Sequence, residues 1–259
     1  MQCERLEGHV ALITGGGRGI GKAIARRLYS EKADIVICGT TEDVLKKAAE
    51  EIASEDREVL PIVCDVSDSG QVKAMVEKAR QRFGKVDILV NNAAIMLRHI
   101  GYERATKHFY ELDEADWDRV MDVNVKGMWL CSSEVFSDMR AQNWGRIINI
   151  SSDTVFIGRG NGIQYITSKA AVVGITRGLA FEAGPYGITV NAISPGLVQS
   201  ETVQEHDFKE MSEVLANSSA IPRLEYPDDL AGAAAWLSSD DAAFVTGQNI
   251  SVSGGLSLH

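Results

Sequence analysis

Tyr165 and Lys169 are the residues of this sequence best suited to acid–base chemistry. They close the stretch Tyr165, Ile166, Thr167, Ser168, Lys169, which follows a glycine-broken loop, Gly158 to Gly162. An apolar run then begins at Ala170 and reads as a buried helix. If that helix starts near Ile163, Tyr165 and Lys169 share one face, one turn apart. A phenol with an ordinary pKa of about 10 is a poor base at neutral pH. A neighbouring ammonium favours the phenolate and lowers that value. One helical turn can thus build a tuned acid–base pair. A tyrosine and a lysine on a solvated face would carry the same spacing, so the rest of the chain must decide.

The elements that must position the pair are legible as alternating strands and helices. Residues 9–13 form a short apolar strand, followed by Thr14, Gly15, Gly16, Gly17, Arg18, Gly19, Ile20 and Gly21 and then by helical spacing over 22–28. Strand, glycine loop and helix are the setting of a dinucleotide fingerprint. Glycines permit the tight turn and close approach of backbone to a diphosphate at the positive helix N-terminus. The second strand, 34–38, ends at Gly39, Thr40 and Thr41. NAD-specific folds place an acidic side chain there for the ribose 2′-hydroxyl. Here none stands at Gly39, and Glu42 and Asp43 are expected to cap the next helix. Arg18 with Thr40 and Thr41 can instead receive a 2′-phosphate, which favours NADP(H) while leaving NAD(H) open. Arg18 as a solvated loop charge is the alternative.

A third strand, 59–64, runs to Asp65 and Val66; Asp65 is either a turn residue or an acceptor for an adenine amino group. A helix over 71–83 and a strand over 86–90 lead to Asn91, Asn92, Ala93 and Ala94. Small residues there let backbone pass a flat ligand, and the asparagines can tie neighbouring strand ends together. Residues 95–112 are locally basic, with Arg98, His99, Arg104, Lys107 and His108 among Tyr102, Phe109 and Tyr110. The segment reads as a surface or interface loop, or as a lid offering cations to an anionic substrate; Arg98 and Arg159 are the candidate substrate contacts. A long helix over 113–142 contains Asn124, a polar group that needs a partner if buried, or that holds a water or distorts the helix. A fifth strand over 146–152 ends in Ser151 and Ser152, at the edge where open α/β sheets bind ligands. A sixth strand over 188–193 precedes Ser194, Pro195, Gly196, Leu197 and Val198. A mobile helical lid is expected over 202–219, a helix over 228–237 and a last strand over 248–252. The alternation implies a doubly wound parallel sheet in one α/β domain spanning 1–259.

Composition narrows the function. The 259 residues are 45% hydrophobic and 24% charged, with a net charge of −10. That balance argues against nucleic acid and anionic membranes as partners. Cys3, Cys38, Cys64 and Cys131 have neither paired nor metal-ligand spacing and are expected as reduced thiols in a cytoplasmic protein. His99 and His108 lack metal-ligand spacing, so no metal is expected. Residues 1–6 have no apolar core, so no signal peptide is expected, and no apolar run is long enough for a membrane span.

Taken jointly, Thr14–Gly21, Asp65 with Val66, Asn91–Ala94, Asn124–Gly127, Ser152, Tyr165–Lys169 and Ser194–Gly196 resemble the short-chain dehydrogenase/reductase family. The likeness runs from Leu6 to the C-terminus. It implies an NAD(P)-dependent oxidoreductase with a seven-stranded Rossmann sheet, interconverting a small secondary alcohol and its carbonyl, commonly as a homotetramer. By the same likeness Tyr165 is the acid–base, Ser152 orients the substrate oxygen, Lys169 holds the nicotinamide ribose, and Asn124 holds a relay water. Contacts to the cofactor are implied at Gly15, Gly17, Arg18, Gly19, Ile20, Gly21, Gly39, Thr40, Thr41, Asp65, Val66, Asn91, Ala93, Tyr165, Lys169, Pro195, Gly196, Val198 and Ser200. Departures are Ala94 for the usual glycine, Ser200 where many members have threonine, and Ser253 for an aspartate. The alternatives are a 3-oxoacyl-carrier-protein reductase and a dinucleotide-binding regulator without turnover.

Overall fold

The computed structural model describes residues 4–54, 57–158, 162–201 and 209–258. Seven strands form one parallel sheet: β1 (Val10–Thr14), β2 (Asp34–Gly39), β3 (Val59–Val63), β4 (Ile88–Asn91), β5 (Gly145–Ile150), β6 (Ile188–Pro195) and β7 (Asn249–Val252). Their spatial order is β3-β2-β1-β4-β5-β6-β7. The expected doubly wound architecture is therefore present. Strand limits differ from the sequence reading by one or two residues; β6, for example, runs on to Pro195, which pairs with Val252.

Period-two alternation sorts each strand's side chains between two layers. Ala11 and Ile13 pack with Ile24, Leu28, Leu45 and Leu230, beneath helices α1 (Gly19–Ser30), α2 (Glu42–Ile52) and a late helix (Pro227–Ser238). Val10 and Leu12 pack with Val72, Met75, Val135 and Ala180 on the other face. That face is covered by α3 (Ser69–Phe83), by α7 (Gly127–Gln142) and by α9 (Ile163–Ala183). Both faces are buried, so the strands read as apolar runs rather than alternating ones.

The chain winds outward from β1 to β3 and then returns to place β4 beside β1. Strand order reverses there, at the carboxyl ends of β1 and β4, the position at which open α/β sheets bind ligands. Thr14 and Asn91 are the last residues of the two strands. Between β4 and α7 lie two short helices, α4 (Leu97–Ile100) and α5 (Tyr102–Ala105), and then α6 (Glu114–Met121). The single helix expected over 113–142 is continuous but not uniform. Asp122–Lys126 form a π-helical turn between α6 and α7, and the Gly127 N–H reaches back to the Asp122 carbonyl. Helix α8 (Thr154–Ile157) links β5 to α9. Of the segment expected over 202–219, Lys209–Ser218 form a helix, α10, and residues 202–208 lie outside the described residues. The Pro227–Ser238 helix is α11.

Helix α1 can sit on its strand only because Gly21 has no side chain. A Cβ there would lie 2.3 Å from the Gly15 carbonyl oxygen and 2.6 Å from Asn92 Nδ2. Neither neighbour can retreat without moving the loop. Gly21→Ala should cost about 1–3 kcal/mol by overpacking, visible as a lowered Tm in thermal unfolding. An unchanged Tm would show that the loop yields freely.

Candidate functional site

The glycine loop is held from behind by hydroxyl and amide groups. Thr14 Oγ1 donates to the Val90 carbonyl and accepts from the N–H groups of Asn92 and Ala93, each at 3.0 Å. Asn92 Nδ2 donates to the carbonyls of Thr14 (2.9 Å) and Gly15 (3.0 Å). Gly15 and Gly19 have φ of +64° and +54°, which a side chain would strain. Space for a Cβ is also missing at Gly16, 2.7 Å from Ile37 Cγ2, and tight at Gly17, 3.0 Å from Val44 Cγ1. Ile20, one residue into α1, is partly buried against the core. The loop is thus a bare-backbone cradle opening onto the N-terminus of α1. Its fit to an anion is visible directly: the Gly19 N–H donates to Glu201 Oε2 at 3.0 Å, and Glu201 Oε1 lies 2.8 Å from Lys22 Nζ. A carboxylate in that place is the kind of group a diphosphate would replace.

Gly17 packs on Val44 in the first turn of α2, the helix that follows the end of β2 at Gly39, Thr40 and Thr41. Arg18 is exposed, in extended backbone at the N-cap of α1, where its side chain caps nothing. Thr40 and Thr41 are exposed as well. Glu42 and Asp43 lie in the first turn of α2, as expected, and Glu42 is paired with Lys46 at 2.7 Å. Asp65 braces the turn that follows β3. Oδ1 accepts from the Ser67 N–H (3.0 Å) and hydroxyl (2.7 Å), and Oδ2 pairs with Arg119 at 2.8 Å. Ser67 and Arg119 together keep the carboxyl below its usual range, against the opposing effect of partial burial. Val66 is buried and fills the space over Gly127, where a Cβ would come within 2.8 Å of it.

At the carboxyl ends of β4 and β5 a second cluster forms. Asn91 Nδ2 donates to Asn149 Oδ1 (2.9 Å) and Ser132 Oγ (3.1 Å), tying two strand ends and α7 together as the sequence suggested. Ser152 lies just beyond β5; its Oγ accepts from the hydroxyl of Thr154 at 3.0 Å, which leaves its own hydrogen for another acceptor. Helix α9 begins at Ile163, so Tyr165 and Lys169 do share one face. Lys169 is 3% exposed, donates from Nζ to the Ile150 carbonyl at 2.8 Å, and lies 5.8 Å from the centre of the Tyr165 ring. Burial pushes its pKa down to about 8. Asn124, 1% exposed, sits in the π turn. Its Oδ1 accepts from the Ile95 N–H at 2.7 Å, and Nδ2 donates to the Ile95 carbonyl and to Ser168 Oγ, each at 3.0 Å. Both polar atoms of the side chain therefore have protein partners.

Pro195 ends β6 and Gly196 follows it. The Gly196 N–H donates to Glu225 Oε2 at 3.0 Å, and the Gln199 N–H to the Glu225 carbonyl at 2.7 Å. Burial raises the Glu225 carboxyl to about 8. Nothing in the sequence marks Glu225, nor Asp153, whose carboxylate receives the hydroxyls of Ser251 and Ser257, each at 2.7 Å. Val198 is buried, and Ser200 lies against the glycine loop, 3.3 Å from where a Gly19 Cβ would stand.

The basic segment divides. Arg104 is paired with Asp116 at 2.7 Å, and His99 Nδ1 accepts from the Met96 N–H at 3.0 Å, so both serve the loop itself. His108 stacks on Tyr110 with ring centres 5.4 Å apart. Gln164 Nε2 donates to the Ala105 carbonyl at 3.1 Å, which fastens the segment beside the start of α9. Arg98 lies on α4; its side chain, and all of Arg159, lie outside the described residues. Among the described residues no acidic, histidine and cysteine cluster could hold a metal ion, and no helix is long and apolar enough to cross a membrane.

Residues 15–257 match the family described as enoyl-(acyl carrier protein) reductase. The chain is 38% identical over 253 residues to (2S)-[(R)-hydroxy(phenyl)methyl]succinyl-CoA dehydrogenase subunit BbsD of Thauera aromatica, with 98% of each chain covered. It is 34% identical over 248 residues to the 3-oxoacyl-[acyl-carrier-protein] reductase FabG of Staphylococcus aureus, covering 95% of this chain and 97% of that one. The crystal structure of levodione reductase superposes with a TM-score of 0.89 at 33% identity, over 97% of this chain and 98% of that one. Matches of this extent show that the chain belongs to the short-chain dehydrogenase/reductase family, as an NAD(P)-dependent oxidoreductase acting on CH–OH groups.

Proposed function

We propose that Tyr165, Ser152, Lys169 and Asn124 carry the reaction on a secondary alcohol, with NADP(H) as the preferred cofactor. The observation that carries this reading is the buried Lys169 ammonium 5.8 Å from the Tyr165 ring, one helical turn away, and bonded to the Ile150 carbonyl at the end of β5, two residues before Ser152. When bound, the nicotinamide supplies the hydride acceptor or donor. In oxidation, Tyr165 takes the hydroxyl proton of the substrate as a phenolate. The Ser152 hydroxyl donates to the same oxygen as its charge changes, while Thr154 fixes its direction. Lys169 favours the phenolate by its charge and is aimed by the Ile150 carbonyl. Asn124 holds Ile95 and Ser168 in register and holds the relay water that passes the proton on. Gly15, Gly19 and Ile20 face the diphosphate, Asp65 and Val66 the adenine, and Pro195, Gly196, Val198 and Ser200 the carboxamide side. The buried free thiols of Cys38, Cys64 and Cys131 suit a cytoplasmic protein.

For NADP(H), support comes from the exposed Arg18 at the N-cap of α1, from the exposed hydroxyls of Thr40 and Thr41, and from the lack of an acidic side chain at Gly39. The names of the Thauera and Staphylococcus relatives favour a second, narrower reading, in which the alcohol lies on an acyl thioester.

Three measurements test these readings. Tyr165→Phe should lower turnover by at least about 100-fold while the dinucleotide still binds; wild-type turnover would remove Tyr165 from its role. Lys169→Met should also lose turnover, yet not stability. Folding lowers the Lys169 pKa from 10.5 to about 8. Between those values the unfolded chain binds more protons, so this group's contribution to stability rises with pH across that window. Lys169→Met should lack that rise when Tm is followed against pH; the same rise in both proteins would contradict the burial argument. Finally, kcat/KM should be higher with NADP⁺ than NAD⁺, and Arg18→Ala should narrow the ratio by about tenfold; a clear NAD⁺ preference would make Arg18 a bystander. Running that assay in the reductive direction on an acetoacetyl thioester and on a simple ketone separates the two substrate readings.

A further inference from the structure

The cradle of the glycine loop already holds an anion supplied by the chain. Glu201 reaches across from beyond β6, 182 residues from Gly19 in sequence, and accepts the Gly19 N–H at 3.0 Å. Its second oxygen lies 2.8 Å from Lys22 Nζ, one turn into α1. The backbone that delivers it is anchored: the Ser200 N–H donates to the Val198 carbonyl at 3.0 Å, and the Gln199 N–H to the Glu225 carbonyl at 2.7 Å. Ser200 itself lies against Gly19. The Lys22 interaction holds the Glu201 carboxyl below its usual range, so the group is an anion at neutral pH.

We propose that Glu201 is an internal competitor for the diphosphate cradle, displaced whenever a dinucleotide binds, and so a determinant of cofactor affinity. The inference rests on the dinucleotide-binding reading given above. Three features make the exchange feasible. One N–H cannot serve two anions at full strength, and a carboxylate left in place would face the diphosphate with like charge. The Glu201 side chain is 55% exposed, so water can receive it. Lys22 keeps a partner after the exchange, because Glu51 Oε2 lies 3.2 Å from the same nitrogen. The opposing possibility is a permanent strut, in which Glu201 stays on Gly19 and braces α1 against the end of β6. A strut would help the cofactor, whereas a competitor hinders it, so the two differ in sign.

Calorimetric titration of the intact protein decides between them. The ligands are the preferred dinucleotide, ADP, and adenosine 2′-monophosphate, which lacks the diphosphate. The proteins are wild type, Glu201→Gln and Glu201→Asp. Glu201→Gln should bind the dinucleotide and ADP about three- to tenfold more tightly, with no gain for adenosine 2′-monophosphate. Glu201→Asp, whose shorter arm cannot span both Gly19 and Lys22, should gain less but in the same direction, and it decides the matter if Glu201→Gln does not fold by circular dichroism. Equal or weaker ADP binding in the variants overturns the proposal, as does an equal gain for the monophosphate. A wild-type protein that binds no dinucleotide would sink the underlying reading; normal binding without a gain in the variants would sink only this inference.

Discussion

Asn124 is a primary amide buried at the junction of three elements, and the arrangement of the site depends on how its hydrogen bonds are met. Left unpaired, such a group would cost folding about 1–3 kcal/mol for each lost partner. Here it is paired with both backbone groups of Ile95, beyond β4, and with Ser168, in the turn of α9 between Tyr165 and Lys169. The end of β4 and the start of α9 are therefore set relative to each other through one side chain. The helix that carries Asn124 accommodates this by widening into a π turn over Asp122–Lys126. Such turns break the uniform helix ladder and concentrate at functional sites.

A steric constraint sets the opposite wall. Strand order reverses between β1 and β4, which brings Thr14 beside Asn92 and Ala93. Thr14 Oγ1 and Asn92 Nδ2 satisfy backbone groups that the end of the sheet would otherwise leave unpaired. The resulting packing is so close that no side chain fits at Gly21 or Gly16. The same absence of side chains leaves main-chain N–H groups facing outward at the start of α1. Packing and anion binding are thus two consequences of one set of glycines.

Charge in the site runs against charge in the molecule. The chain carries −10 overall, yet Lys169, in the candidate site, is only 3% exposed. Desolvation works against the ammonium, and the Ile150 carbonyl offsets part of that cost. Of the cations that the sequence offers to a substrate, Arg104 is already paired with Asp116. Net charge describes the solvated surface; the site responds to individual groups at hydrogen-bonding distance.

Tyr165 and Lys169 on one helical face, the glycine loop between a strand and a helix, and the alternation that makes a doubly wound sheet were all readable from residue order. These features depend on periods of two and 3.6 residues and on local turn chemistry, which neighbouring residues determine among themselves. Asn124 was also legible as a polar group in need of a partner. Its partners were not, because Ile95 and Ser168 lie 29 and 44 residues away and meet it only after the chain has doubled back between β3 and β4. The pairing of Asp65 with Arg119, of Gly196 with Glu225 and of Gly19 with Glu201 has the same origin. Sequence spacing determined which chemistry the protein carries. Only the tertiary structure decided which buried donor meets which acceptor, since that depends on distances across the sheet that no local period encodes.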